Sequence, residues 1–132
     1  MTAGYSGTPL ARKLSLKPGL RAWREAMPES VAEEIGDVDL TLLPRAEAPI
    51  DAAHIFVTER AQLAERLEAL RPLLGLHGFL WVSWPKRASK RPTDITEDVI
   101  RAECLPLGLV DVKVCAVDAV WSGLKLMVRR SG

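Results

Sequence analysis

Phe79-Leu-Trp-Val-Ser-Trp84 is the stretch on which the fold turns. Five of its six side chains are apolar, so it does not alternate between a wet face and a dry one. A run of this kind is far too short to span a bilayer, and it reads as a strand covered on both faces. That predicts a central position in a mostly parallel sheet with helices on either side. Working backwards, Gly75 and Gly78 frame a turn, and the segment before them is the clearest helix in the chain. Thr58 can cap it, and Leu63, Leu67, Leu70 and Leu74 recur at spacings that share one helical face, with Glu65, Arg66 and Glu68 on the other. Pro72 should end or kink it, because its ring removes an amide donor and crowds the preceding turn.

Towards the amino end, Ala53–Val57, Val38–Leu43 and Leu20–Arg24 read as three further strands. Leu10–Leu16 and Val31–Ile35 read as short helices, the second closed by Gly36. Beyond the central run, Asp94-Ile-Thr-Glu97 has the pattern of a capping box, in which the acid three residues on reaches back to the cap amide. The helix it opens carries Ile95, Val99 and Ala102 on one side and ends at Pro106 and Gly108. Val112–Val117 and Leu124–Arg129 follow as strands on a short connection, which requires them to be antiparallel. The expectation is one Rossmann-like, three-layer α/β domain over residues 1–132, its mostly parallel sheet ending in an antiparallel hairpin.

The chain has 132 residues, with 18 basic and 17 acidic side chains giving a net charge of +1. Apolar residues make up 48 %, enough for a core without metal or disulfide staples. The balanced charge removes any general argument for a nucleic acid or a membrane surface as partner. The two cysteines, Cys104 and Cys115, make no disulfide framework, and Met1–Gly19 has no apolar core like that of a secretion signal. A cytoplasmic location is expected.

Four separated blocks resemble one family: Tyr5-Ser-Gly-Thr-Pro-Leu-Ala-Arg-Lys-Leu14; Trp81-Val-Ser-Trp-Pro-Lys-Arg-Ala-Ser89; Thr93-Asp-Ile-Thr-Glu-Asp98; and Gly108-Leu-Val-Asp-Val-Lys-Val-Cys-Ala-Val-Asp118 with Trp121-Ser-Gly-Leu-Lys125. They are similar, in order, to small bacterial proteins grouped as domain of unknown function 3052, a resemblance that implies no activity. The order of elements is also similar to the class I methyltransferase fold, and Leu16-Lys-Pro-Gly-Leu-Arg21 resembles the approach to that fold's first strand. Methyltransferases place a glycine-rich loop in the next turn, where this chain reads Glu25-Ala26-Met27-Pro28. Where that fold usually grips a ribose with an acid, after the second strand, this chain has Pro44 and Arg45, with Glu47 in the following loop.

No catalytic constellation can be drawn. His54 and His77 have no metal-ligand partner at useful spacing, Ser83 and Ser122 lack a nucleophile-elbow context, and the nine glycines form neither a Walker pattern nor a dinucleotide fingerprint. Catalytic residues are accordingly none and metal-binding residues none, with a Cys–His pair left open because such partners lie far apart along a chain. In a parallel α/β sheet, ligands bind beyond the carboxyl ends of the strands. The central strand leaves that rim through Trp84, Lys86 and Arg87, and the last strand, running the other way, starts there with Trp121, Ser122 and Lys125. Lys86, Arg87, Lys90 and Arg91 gather positive charge just before the helix near Asp94. The expected ligand site is accordingly Trp84, Lys86, Arg87, Thr93, Trp121, Ser122 and Lys125, with the cations holding a small anionic or nucleotide-like ligand and Thr93 and Ser122 supplying hydroxyls.

Three readings follow: a non-catalytic ligand-binding or accessory domain; an S-adenosylmethionine-dependent methyltransferase-like enzyme with an atypical cofactor loop; and a structural subunit that meets a protein partner or a second copy of itself. For the last, the acidic stretch Glu29, Glu33, Glu34, Asp37 and Asp39 would serve as docking surface. The cofactor, if any, is not legible in the sequence.

Overall fold

The computed structural model describes residues 8–129, so the start of the first block, at Tyr5, lies outside the described residues. The elements are α1 (Leu10–Lys13), β1 (Arg21–Glu25), α2 (Glu29–Ile35), β2 (Thr41–Leu42), β3 (Ile50–Phe56), α3 (Arg60–Leu70), β4 (Leu74–Pro85), α4 (Glu97–Cys104), β5 (Leu109–Ala116) and β6 (Trp121–Val128). They form one six-stranded sheet in the order β2-β1-β3-β4-β6-β5. The first four strands in that order are parallel, and β6 is antiparallel to both β4 and β5. This is the Rossmann-like arrangement with a terminal hairpin that the sequence predicts.

The central strand is buried on both faces, as its composition requires. Leu80, Val82 and Trp84 belong to a core with Leu63, Leu67 and Leu70 of α3 and Ile100 of α4. Phe79 and Trp81 point the other way, into a core with Leu10 and Leu14 of α1 and Val31 and Ile35 of α2. Full burial of each such side chain is worth about 1.5–3 kcal/mol. The Trp81 indole, 1 % exposed, donates its N–H to the Leu14 carbonyl at 3.0 Å, so the core holds no unpaired donor there.

Several boundaries differ from the sequence reading, each for a local reason. The second strand shrinks to Thr41–Leu42, an exposed edge pair that Pro44 cannot extend as an amide donor. The expected turn at Gly75 and Gly78 belongs instead to β4, where the register against β3 shifts between Ile50 and Ala52. The proposed capping box does not form. The N-cap of α4 is Thr96, whose hydroxyl oxygen accepts from the Val99 amide at 3.1 Å. Asp94 caps a different helix: its carboxylate accepts the Arg60 amide at the start of α3, at 2.6 Å. Thr58 does not cap α3, whose N-cap position is Glu59; the Thr58 carbonyl accepts the Thr93 hydroxyl at 2.7 Å.

Gly78 marks the tightest backbone approach in the sheet. A Cβ there would lie 2.6 Å from the Ile50 carbonyl oxygen, whereas at Gly75 its nearest neighbour would be the Pro49 Cβ at an ordinary 3.6 Å. Gly78→Ala should therefore destabilise the fold by about 1–3 kcal/mol, because backbone must move to admit the methyl group. Gly75→Ala should stay within about 0.5 kcal/mol. Urea unfolding of the two variants checks the contrast.

Candidate functional site

The carboxyl rim of the parallel strands is the place to look for a ligand, and within it the point where strand order reverses. Here β1 is followed by β2 on one side and β3 on the other, so the reversal lies between β1 and β3. Glu25, the last residue of β1, turns towards α3. Its carboxylate accepts Arg66 Nε at 2.8 Å, a second nitrogen of the same guanidinium, and the Trp23 indole N–H at 2.8 Å. Burial alone would raise the Glu25 carboxyl; the Arg66 and Trp23 hydrogen bonds outweigh it and hold the group below the usual carboxylate range. Ala26 follows with φ +57°, a left-handed conformation that glycine adopts without strain.

On the other face of the sheet, Met27 and Arg24 line a cavity of about 20 Å³ floored by Leu14, Phe79, Trp81 and His54. His54 is buried and shares a 2.7 Å hydrogen bond with the fully buried Ser83 hydroxyl, and its ring stacks on Phe56 at 4.5 Å. Burial, with the charge of Arg24 adding to it, pulls the His54 pKa down to about 3. A hydroxyl and an imidazole so placed have the distance of a nucleophile and its base. Both are side chains of the sheet itself, on β3 and β4, and with His54 6 % exposed and Ser83 fully buried they act as a satisfied core pair.

The ligand-sized space lies one strand over. An open groove of about 650 Å³ runs from the carboxyl end of β4 to the start of α4, lined among others by Trp84, Arg87, Lys90, Arg91, Thr93 and Arg101. Arg87, Lys90 and Arg91 are exposed, and among the described residues none of them forms an ion pair. The acids on the opposite wall, Glu97 and Asp98, are answered by Arg101 at 3.0 Å each, and Arg101 also meets Asp111 at 2.9 Å. Charge that is free to meet a ligand is therefore positive.

The seven residues expected at this rim are divided among three places. Trp84, Arg87 and Thr93 line the groove. Lys86 opens onto a second groove, of about 380 Å³, with Lys13, Glu34 and Asp118. Trp121 pairs with Pro85 and lies in the core on the α1/α2 side, whereas Trp84 lies in the core on the α3/α4 side, so the two indoles are separated by the sheet. Ser122 pairs with Trp84 at the top of the ladder. Lys125 pairs with Trp81 lower in the sheet, donates to the Ser15 hydroxyl oxygen at 3.0 Å and sits 4.5 Å over the Phe79 ring. The Thr93 hydroxyl is committed to the Thr58 carbonyl, so it shapes the groove wall. One bridge joins the faces: the Arg91 guanidinium lies 5.8 Å over the Trp121 ring.

Residues missed by the sequence reading are Arg101, Glu25 and Arg66. Arg101 was detectable from its i,i+4 and i,i+3 spacing to Glu97 and Asp98. The Glu25–Arg66 pair, 41 residues apart, carries no local signal. Among the described residues there is no group of His, Cys, Asp and Glu that could hold a metal ion, and no helix long and apolar enough to cross a membrane.

Solved structures with this topology include a SAM-dependent methyltransferase from Aquifex aeolicus, at TM-score 0.62 and 13 % identity over 89 % of this chain and 86 % of that one. A ribosomal protein methylase from Lactobacillus delbrueckii is similar at TM-score 0.63 and 10 % identity, covering 92 % of this chain and 75 % of that one. A precorrin-6y methyltransferase from Geobacter metallireducens gives TM-score 0.58 and 11 % identity, covering 89 % and 84 %. The fold is methyltransferase-like. No family model and no curated protein matches the sequence, so the likeness to domain of unknown function 3052 rests on its four sequence blocks alone.

The buried His54 gives the fold a pH dependence whose sign follows from its depressed pKa. The unfolded chain takes up a proton near pH 6.5 and the folded chain does so only near 3, so stability is complete above about 6.5 and falls as pH drops through that window. The loss should approach about 1.4 kcal/mol per pH unit between roughly pH 6 and 4. His54→Gln, which cannot titrate, should lose that part of the slope in urea midpoints measured at pH 7, 6, 5 and 4.

Proposed function

We propose that this chain is a non-catalytic binding domain on a methyltransferase-like sheet, holding a small anionic ligand in the groove between β4 and α4. The observation that carries the reading is the unpaired positive wall of that groove. Arg87, Lys90 and Arg91 supply three cationic groups to a space of about 650 Å³, within the range of small-molecule sites. Guanidinium forks suit carboxylate or phosphate oxygens, and the lysine adds a compact charge. Trp84, 7 % exposed, backs the groove as an apolar wall. Trp121 serves indirectly, as the ring over which Arg91 is laid. The groove presents no histidine, cysteine or pair of unengaged carboxylates to move a proton, which favours binding over turnover.

The fold likeness favours a second reading, an S-adenosylmethionine-dependent enzyme with an atypical loop after β1. It places its ligand at the β1/β3 switch point and not in the groove, so the two readings part on one set of titrations. Phosphate, nucleotides, acyl-coenzyme carriers, S-adenosylmethionine and S-adenosylhomocysteine are each tested by thermal shift. An anion at about 100 times its Kd adds about 2.7 kcal/mol, a shift on the order of 10 °C for a chain of this size. The groove reading expects such a shift with an anion, and at least tenfold weaker binding in Arg87→Ala/Lys90→Ala. Equal binding by the parent and the double variant removes the groove as the site.

A further inference from the structure

The switch point is where a sheet of this topology ordinarily takes its ligand, and its chemistry in this chain is of another kind. The methyltransferase from Aquifex aeolicus is SAM-dependent, and S-adenosylmethionine is the ligand the fold would lead one to seat there. The residues do not fit it. The turn after β1 lets a backbone approach a ligand only if side chains stay out, and here Ala26 puts a Cβ on a left-handed residue while Met27 is turned inward as lining of the small cavity. Beyond β2, where an acid would meet ribose hydroxyls, Arg45 is paired with Glu47 at 3.0 Å on the open surface. The only acid at the end of β1 is Glu25, and its carboxylate is taken by three donors from Arg66 and Trp23. The cavity beside the turn, about 20 Å³, has room for a water, whereas a nucleoside-sized ligand asks for several hundred.

We infer that the switch point of this chain has been closed into a structural joint, in which the Glu25–Arg66 pair with Trp23 ties the end of β1 to α3 across the place a cofactor would occupy. The pair is built for that role. The guanidinium meets the carboxylate through two nitrogens, the side chains are only 29 % and 17 % exposed, and the indole fixes the carboxylate from the third side. A joint of this kind draws the end of β1 and the middle of α3 together with groups of the chain itself. The inference does not depend on what the neighbouring groove binds.

Two measurements on the full chain test it. Isothermal titration of the wild type with S-adenosylmethionine and with S-adenosylhomocysteine should show no saturable binding up to 1 mM. Native-state hydrogen exchange on Arg66→Ala should show amides of residues 25–28 and 60–66 exchanging at least tenfold faster, with those of β4 unchanged. Arg66→Lys, which keeps the charge and loses the fork, should fall between the two and supplies the reading if the alanine variant does not fold. Saturable binding of either ligand that survives in Arg87→Ala/Lys90→Ala would overturn the joint, since it would place the ligand outside the groove. Unchanged exchange in both Arg66 variants would overturn it as well. Binding that disappears in the double variant belongs to the groove and leaves the joint standing.

Discussion

The rest of the structure depends on β4 being covered twice. A strand with Leu80, Val82 and Trp84 on one face and Phe79 and Trp81 on the other leaves neither face for water, so helices must come from both directions. That demand reaches far along the chain. Trp81 brings a buried N–H that needs an acceptor, and the Leu14 carbonyl supplies it, which fixes a helix of only four residues by a tertiary bond and not by its own ladder. The same indole needs space across the ladder. Gly123 on β6 gives it, because a Cβ there would come within 3.2 Å of the ring. One large side chain thus accounts for the seat of α1 and for a glycine in the middle of a strand.

The double covering also explains why the rim residues do not converge on one pocket. A period of two sends neighbours in a strand to opposite faces, so Trp84 and the Pro85–Trp121 pair cannot share a side of the sheet. Direction of travel, legible in the sequence, puts β4's exit and β6's start at one rim. Facing is another matter, because it depends on the register of β6 against β4, which sets Trp121 opposite Pro85 and Ser122 opposite Trp84. Asp118 shapes the turn that leads into β6 by accepting the Val120 and Trp121 amides, both at 2.8 Å. Lys125 lies four pairs below the Pro85–Trp121 pair at the rim, and its ammonium is spent on Ser15.

What was legible was whatever burial dictates. The spacing of Leu63, Leu67 and Leu70 in α3, the apolar run of β4 and the short link between β5 and β6 are all demands of the core and are written locally, whereas Leu74, expected on the same helical face, begins β4. What was not legible was written between distant residues. Asp94 has the sequence context of a cap for α4 and serves α3, because the 85–96 loop folds back over the start of that helix and brings the carboxylate to the Arg60 amide. Thr93 reinforces the same fold-back through the Thr58 carbonyl. The extra residue at Val112, where β5 slips its register against β6, leaves Val112 and Val114 half exposed on an edge strand that the sequence presents as ordinary.

The same division governs how far the likeness to methyltransferases can be carried. At 10–13 % identity the shared feature is the sheet with its covering helices, and that is the part burial enforces on any sequence of this pattern. Activity resides in the loops at the carboxyl rim, which burial leaves free to vary. In this chain two of those loops differ in kind. The loop after β1 leaves a cavity of only about 20 Å³ beside it, and the acid at its start is tied to an arginine. The loop after β4 borders open space, and among the described residues its Arg87, Lys90 and Arg91 form no ion pair, while Arg101 draws Glu97, Asp98 and Asp111 to itself. Carboxylates engaged within their own helix are drawn away from the wall facing them, so the arginine that looks like one more basic groove residue is what keeps Glu97 and Asp98 from pairing with the opposite wall.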